Sequence, residues 1–177
     1  MSRLMIVDDE EHILKALRRS LGRGTGWEVE VFQGGREALE RAREEAFDLF
    51  ISDYRMPGMN GVEFLVAAKE LQPEAMRVIL SGYSDLDGLL GAINEAEIYR
   101  FISKPWQDYE LRSTVEQALK LRAALVENRR LADQVRAQQE QLDEQARVLA
   151  ELEAESPGIT HVDWTEDGAI ILDENDV

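Results

Sequence analysis

Four apolar runs in this chain lead directly into residues that can do chemistry. Ile6 and Val7 lead into Asp8, Asp9 and Glu10, and Ile51 and Ser52 into Asp53. Ile79 and Leu80 lead into Ser81 and Gly82, and Ile102 and Ser103 into Lys104 and Pro105. Clustered carboxylates repel one another unless a cation neutralises them. Mg2+ does so with one or two carboxylates, waters and a phosphate oxygen. A carboxylate can also attack phosphorus and become an aspartyl-phosphate. Mg2+, a lysine and a hydroxyl or backbone N–H would then stabilise charge on the equatorial oxygens. Singly, each residue has an ordinary explanation: an Asp after a strand caps a helix or turns the chain, and Ser-Gly and Lys-Pro make turns. Taken in order along one sheet edge, they form a candidate site.

Such a site requires parallel strands. Residues 4–7, 27–32, 49–52, 78–80 and 98–102 are short apolar runs bounded by charge or turn residues, as buried parallel strands are. Helical spacing lies between them. Leu14, Leu17 and Leu21 share one face, Ala38, Leu39 and Ala42 a second, Val62, Leu65 and Ala68 a third, and Leu86, Leu89, Leu90 and Ile93 a fourth. Strands alternating with helices predict an α/β fold: a doubly wound five-stranded parallel sheet that binds ligands beyond the carboxyl ends of its strands.

Residues 108–155 contain no Pro or Gly and are rich in Ala, Glu, Gln, Arg and Leu, which predicts one long helix. Its first turns have an apolar face for the sheet; the remainder carries a heptad seam. One register reads Leu121, Leu125, Asn128, Ala132, Val135, Gln139, Leu142, Ala146 and Leu149. A second reads Leu131, Val135, Gln138, Leu142, Gln145, Leu149 and Leu152, and the spacing leaves both open. Ser156, Pro157 and Gly158 end the helix. Residues 159–172 read as a hairpin around Asp167-Gly168, with Val162, Trp164, Ile170 and Leu172 as its interaction face. The expected division is 1–121 for the α/β domain, 122–155 for a coiled-coil helix and 156–177 for an acidic tail.

Composition narrows the function. The 177 residues include 36 acids and 20 Lys or Arg, a formal charge of −16. That balance disfavours nucleic acid, whose binding rests on neutralising phosphates. Cysteine is absent, so disulfides, thiolate zinc sites and Cys nucleophiles are excluded. The first apolar run is too short for a signal peptide or a membrane span, so a cytoplasmic protein without membrane contact is expected.

On Ile6 to Glu10, Asp53 to Gly61, Leu80 to Gly82 and Lys104 to Trp106, residues 1–121 resemble the receiver domain of bacterial two-component response regulators. The resemblance is to the kind fused to HD-GYP or AAA+ outputs, although no such output motif follows here. It implies strand order 2-1-3-4-5 and Asp53 as phosphoacceptor. It further implies Mg2+ held by Asp8, Asp9, Asp53 and the main-chain carbonyl of Arg55. Ser81, Gly82 and Lys104 become phosphate-binding residues, Phe101 the switch aromatic, and the Lys104–Pro105 peptide commonly cis. A sensor histidine kinase or phosphotransfer protein is the implied donor, and the receiver catalyses only its own phosphotransfer and dephosphorylation. The expected output is a parallel homodimer through the helix, with the tail engaging a downstream protein. The alternative is a regulatory N-terminal fragment of a larger enzyme or transcription factor.

Overall fold

The computed structural model describes residues 1–82 and 95–157. Two predicted features, the fourth apolar helical face (86–93) and the hairpin with Val162, Trp164, Ile170 and Leu172, lie outside the described residues. The order is β1 (Arg3–Val7), α1 (Glu11–Gly22), β2 (Glu28–Phe32), α2 (Gly35–Glu44), β3 (Leu49–Asp53), α3 (Gly61–Leu71), β4 (Met76–Ser81), β5 (Arg100–Ser103) and a long helix, here α4 (Asp108–Glu155). The strands form one parallel sheet in the order β2-β1-β3-β4-β5, the predicted flavodoxin-like arrangement. No helix among the described residues is long and apolar enough to cross a membrane.

Two compact units divide the chain, Met1–Glu127 and Asn128–Val177. In the first, the period of two along each strand sorts side chains between two cores. Leu4, Ile6, Leu49, Ile51, Val78 and Leu80 point to one face, where Leu14, Leu17 and Leu21 of α1 and Leu111, Val115 and Ala118 of α4 cover them. Met5, Val7, Phe50 and Ile79 point to the other, under Ala38 and Leu39 of α2 and Phe64, Leu65 and Ala68 of α3. Burial on both faces explains why these strands read as unbroken apolar runs. The described part of the second unit is the remainder of α4, on which Leu131, Val135, Leu142, Leu149 and Leu152 are all exposed.

The strand ends differ from the sequence expectation where charge interrupts the pattern. β4 begins at Met76 rather than 78 because Arg77 is buried. Its guanidinium donates to the carbonyls of Ala96 and Ala75 at 2.6 Å each, which satisfies the charge inside the fold. β5 begins at Arg100, the partner of Val78, rather than at 98, and follows the left-handed turn at Glu97 (φ 48°).

α3 starts with a reciprocal cap. The Asn60 side chain accepts from the N–H groups of Val62 and Glu63 at 2.9 Å each, and Glu63 accepts from the Asn60 N–H at 2.9 Å. Asn60→Ala removes two of these bonds, and urea denaturation is expected to show a loss of about 1–2 kcal/mol.

Candidate functional site

Register decides what meets at the carboxyl edge of the sheet. Asp53 pairs across with Leu80, and Ser81 pairs with Ser103. Val7 pairs with Ser52, so the chain leaves β1 at Asp8 beside the end of β3. The Lys104 N–H donates to the Ser81 carbonyl at 2.8 Å, which ties the exit of β5 to the end of β4. The Lys104–Pro105 peptide is cis.

One ammonium joins two carboxylates here. Lys104 Nζ lies 2.7 Å from Asp8 Oδ2 and 2.6 Å from Asp53 Oδ1. Each carboxylate's second oxygen accepts a backbone N–H: Asp8 Oδ1 from Glu10 at 2.9 Å, and Asp53 Oδ2 from Arg55 at 2.8 Å. Asp8 is fully buried, Asp53 nearly so, and Lys104 mostly covered. Burial pushes the Asp53 carboxyl above the usual carboxylate range; Lys104 pulls against this, and the Asp8 charge adds to it. Burial also opposes the Lys104 charge, but its bonds to Asp53 and Asp8 outweigh that and hold its pKa above the ordinary lysine value.

The Asp53 main chain is fixed as firmly as its side chain. Its carbonyl accepts the buried Ser52 hydroxyl at 2.9 Å. Tyr54 donates to the Leu80 carbonyl at 2.8 Å and accepts from Gly61 N–H at 2.9 Å. Gly61 lies so close that a Cβ there would meet the Asp53 carbonyl oxygen at 1.9 Å. In the sequence Gly61 is legible only as the last residue of the motif that begins at Asp53, with no role of its own. Asn60 stands in the same motif and likewise has no role there, although Asn60-x-x-Glu63 has the spacing of a capping box.

The other expected site residues are placed as follows. Ser81 is buried at the end of β4, with Gly82 next in the chain. Phe101, on the edge strand β5, is 42% exposed. Asp9 is exposed and lines an open groove of about 480 Å3 with Tyr54, Arg55, Met56, Pro57 and Asn60. Among the described residues, no three of Asp, Glu, His or Cys gather closely enough to form a preformed metal cluster. Yet two buried carboxylates face a single ammonium, which leaves negative charge uncompensated, and the donors are oxygens. That donor set fits a hard divalent cation such as Mg2+.

Comparison with known proteins agrees with this geometry. The response regulator receiver domain family matches residues 4–116. The hydrogenase transcriptional regulatory protein HoxA of Cupriavidus necator is 38% identical over 116 residues, 66% of this chain and 24% of its own length. The chain thus corresponds to about a quarter of that relative. The crystal structure of adenylate cyclase from Rhodopirellula baltica superposes with a TM-score of 0.70 at 29% identity, covering 75% of this chain and 97% of that one. The signal receiver domain of an HD domain-containing protein from Pseudomonas fluorescens gives 0.66 at 33% identity, covering 70% and 98%. With its sheet order, its acid–lysine cluster and a family match over most of its length, this chain belongs to the response regulator receiver domain family.

Proposed function

We propose that the protein is a two-component response regulator that takes a phosphoryl group on Asp53 from the phosphohistidine of a sensor kinase or phosphotransfer protein. The reading rests on the Lys104 ammonium bridging Asp8 and Asp53 at 2.7 and 2.6 Å. An Asp53 oxygen attacks phosphorus in line, the Asp–O–P bond forms, and the P–N bond of the donor breaks with its electron pair returning to the imidazole. The Arg55 N–H holds Asp53 Oδ2, which leaves Oδ1, the oxygen beside Lys104 Nζ, to attack as the ammonium turns to the phosphoryl oxygens. Lys104, already in contact with Asp53, pairs with the incoming phosphoryl oxygens. Ser81, at the end of the neighbouring strand, and the Gly82 backbone would donate to the phosphoryl group as it settles. Asp8, Asp9, Asp53 and the carbonyl of Arg55 would hold Mg2+, which supplies charge neutralisation between the acids and the phosphoryl oxygens.

In this reading residues 1–121 receive the signal in the cytoplasm and 122–155 carry the output as a parallel homodimer. Ser81 draws toward the phosphoryl group, and Phe101 turns inward from its half-exposed position on β5. Phosphorylation adds charge and strong acceptors, and both residues bias a two-state edge of the fold. A downstream protein then reads the dimer and the tail at 156–177.

Incubation with Mg2+ and a small-molecule phosphodonor, followed by intact-mass measurement, is expected to show one added phosphoryl group. Asp53→Ala is expected to show none. Equal uptake in the two proteins would place the phosphoacceptor elsewhere.

A further inference from the structure

From Leu131 to Leu152, α4 is exposed and carries two overlapping heptad seams that share Val135, Leu142 and Leu149. The first completes its layers with Ala132, Gln139 and Ala146 and continues the heptads of Leu121 and Leu125 without a break. The second completes them with Leu131, Gln138, Gln145 and Leu152. It is reached from Leu125 and Asn128 only by an extra three-residue step, a stammer that locally overwinds a coiled coil. Neither seam wins outright. The second has Leu131 and Leu152 where the first has Ala132 and Glu153, whereas the first has Ala146 in place of Gln145 and keeps an uninterrupted repeat.

Charge keeps both available. In the second register, every charged residue between Leu131 and Leu152 falls at b, c or f, away from a partner helix. In the first, only Arg136 and Asp143 move to e, where a parallel copy presents Leu131 and Gln138 at g. Between Leu131 and Leu152 a second copy therefore meets no like-charge contact across the seam in either register, despite a chain charge of −16. Past Leu149 the first register brings Glu153 to an a position against its own copy, a cost confined to the last turn of the helix. A different partner chosen by charge would find no charged group to read at the core of this face. Exchange between the seams turns each helix by roughly 50–60° about its axis, the angle between a and d positions.

We infer that this face binds a second copy in two alternative registers, and that these registers are the two output states of the Asp53 switch. The inference rests on the dimeric reading above and adds to it the form of the change. Association is retained, and what changes is which side of α4 faces inward. Shared Val135, Leu142 and Leu149 hold the pair together in both states, so the free-energy difference between registers is small enough for one phosphoryl group to bias it.

The chain has no cysteine, so single introduced thiols report pairing without background. Gln139→Cys marks the first register, Gln138→Cys the second and Val135→Cys both, while Glu140→Cys points outward in either. Each full-length variant is oxidised mildly with and without beryllofluoride and Mg2+, and covalent dimer is read on a non-reducing gel beside molar mass from light scattering. The expected result is a dimer throughout, with Val135→Cys always linked and Glu140→Cys never. Beryllofluoride is expected to change the ratio of Gln139→Cys to Gln138→Cys linkage by about fivefold, and Asp53→Ala to abolish the change. A constant ratio in a stable dimer would overturn the two-register switch and leave the dimer standing. A monomer with no Val135→Cys linkage would overturn the dimer itself. A tetramer would also overturn the switch, because additional helices would then account for the broad uncharged face.

Discussion

Gly61→Ala is expected to abolish phosphoryl uptake and to destabilise the domain by about 3 kcal/mol, the upper range for overpacking a tight site. The reason is distance. The new methyl would stand 1.9 Å from the Asp53 carbonyl oxygen, 2.8 Å from its carbon and 3.0 Å from the Ser52 hydroxyl. Two of those atoms are backbone of β3 and cannot rotate away. Relief requires the first turn of α3 to move off β3. That movement breaks the Gly61 N–H bond to the Tyr54 carbonyl and disturbs the loop that carries Arg55 N–H to the Asp53 carboxylate. Backbone freedom is not the issue at Gly61; it is the close approach of two chains that excludes a side chain. Urea denaturation and intact-mass measurement together check the expectation. If Gly61→Ala has wild-type stability and takes up phosphoryl groups normally, the close packing of α3 on β3 is not what fixes Asp53.

What was legible in the sequence depended on whether a residue's environment repeats along its own element. Leu4, Ile6, Leu49, Ile51, Val78 and Leu80 obey the period of a strand buried on both faces, and the sheet follows from them. The helix Asp108–Glu155 was equally legible, because nothing in it breaks a helix. Arg77 was not: a charge in an apolar run reads as the end of a strand. The carbonyls of Pro73, Ala75 and Ala96 and the Glu97 carboxylate, the last two from the connection into β5, make its burial affordable. Asp8, Asp53 and Lys104 were legible as a set by their positions after strands, but the single ammonium shared by two acids is a tertiary fact. Asp9 follows Asp8 in sequence and shares its chemistry, yet the chain turns between them, leaving one buried and the other facing the groove. Asp48 shows the same limit. Its carboxylate accepts the Arg3 N–H at 2.7 Å and pairs with Arg122 of α4 at 2.6 Å, contacts across stretches of chain that no local pattern connects.

Lys104→Met is expected to lower stability near pH 7 by about 2–3 kcal/mol, with the deficit shrinking at a second, more acidic pH. The substitution keeps the length and apolar stem of the side chain and removes only the charge. Two buried carboxylates then face each other with no ammonium between them. In the wild type Lys104 is the main influence holding the Asp53 pKa down against burial, so without it that pKa rises further from the ordinary 3.8. A carboxyl whose folded pKa is raised binds a proton more readily folded than unfolded. Its stabilising contribution is complete below the unfolded value and is lost as pH rises through the folded value. The variant therefore gains stability on acidification as Asp53 takes a proton and the repulsion from Asp8 ends. Lys104 in the wild type has the opposite window. Its pKa is raised above 10.5, so its contribution is present throughout the neutral range and is lost only in strong alkali. Urea denaturation of both proteins at the two pH values separates a lost charge from lost packing, because a packing defect would leave the deficit the same at both. Mg2+ offers a second readout. A divalent cation replaces the missing positive charge between the acids, so Mg2+ is expected to restore more stability to Lys104→Met than it adds to the wild type. Equal effects of Mg2+ on the two proteins would show that the uncompensated charge at Asp8 and Asp53 is not what draws the cation.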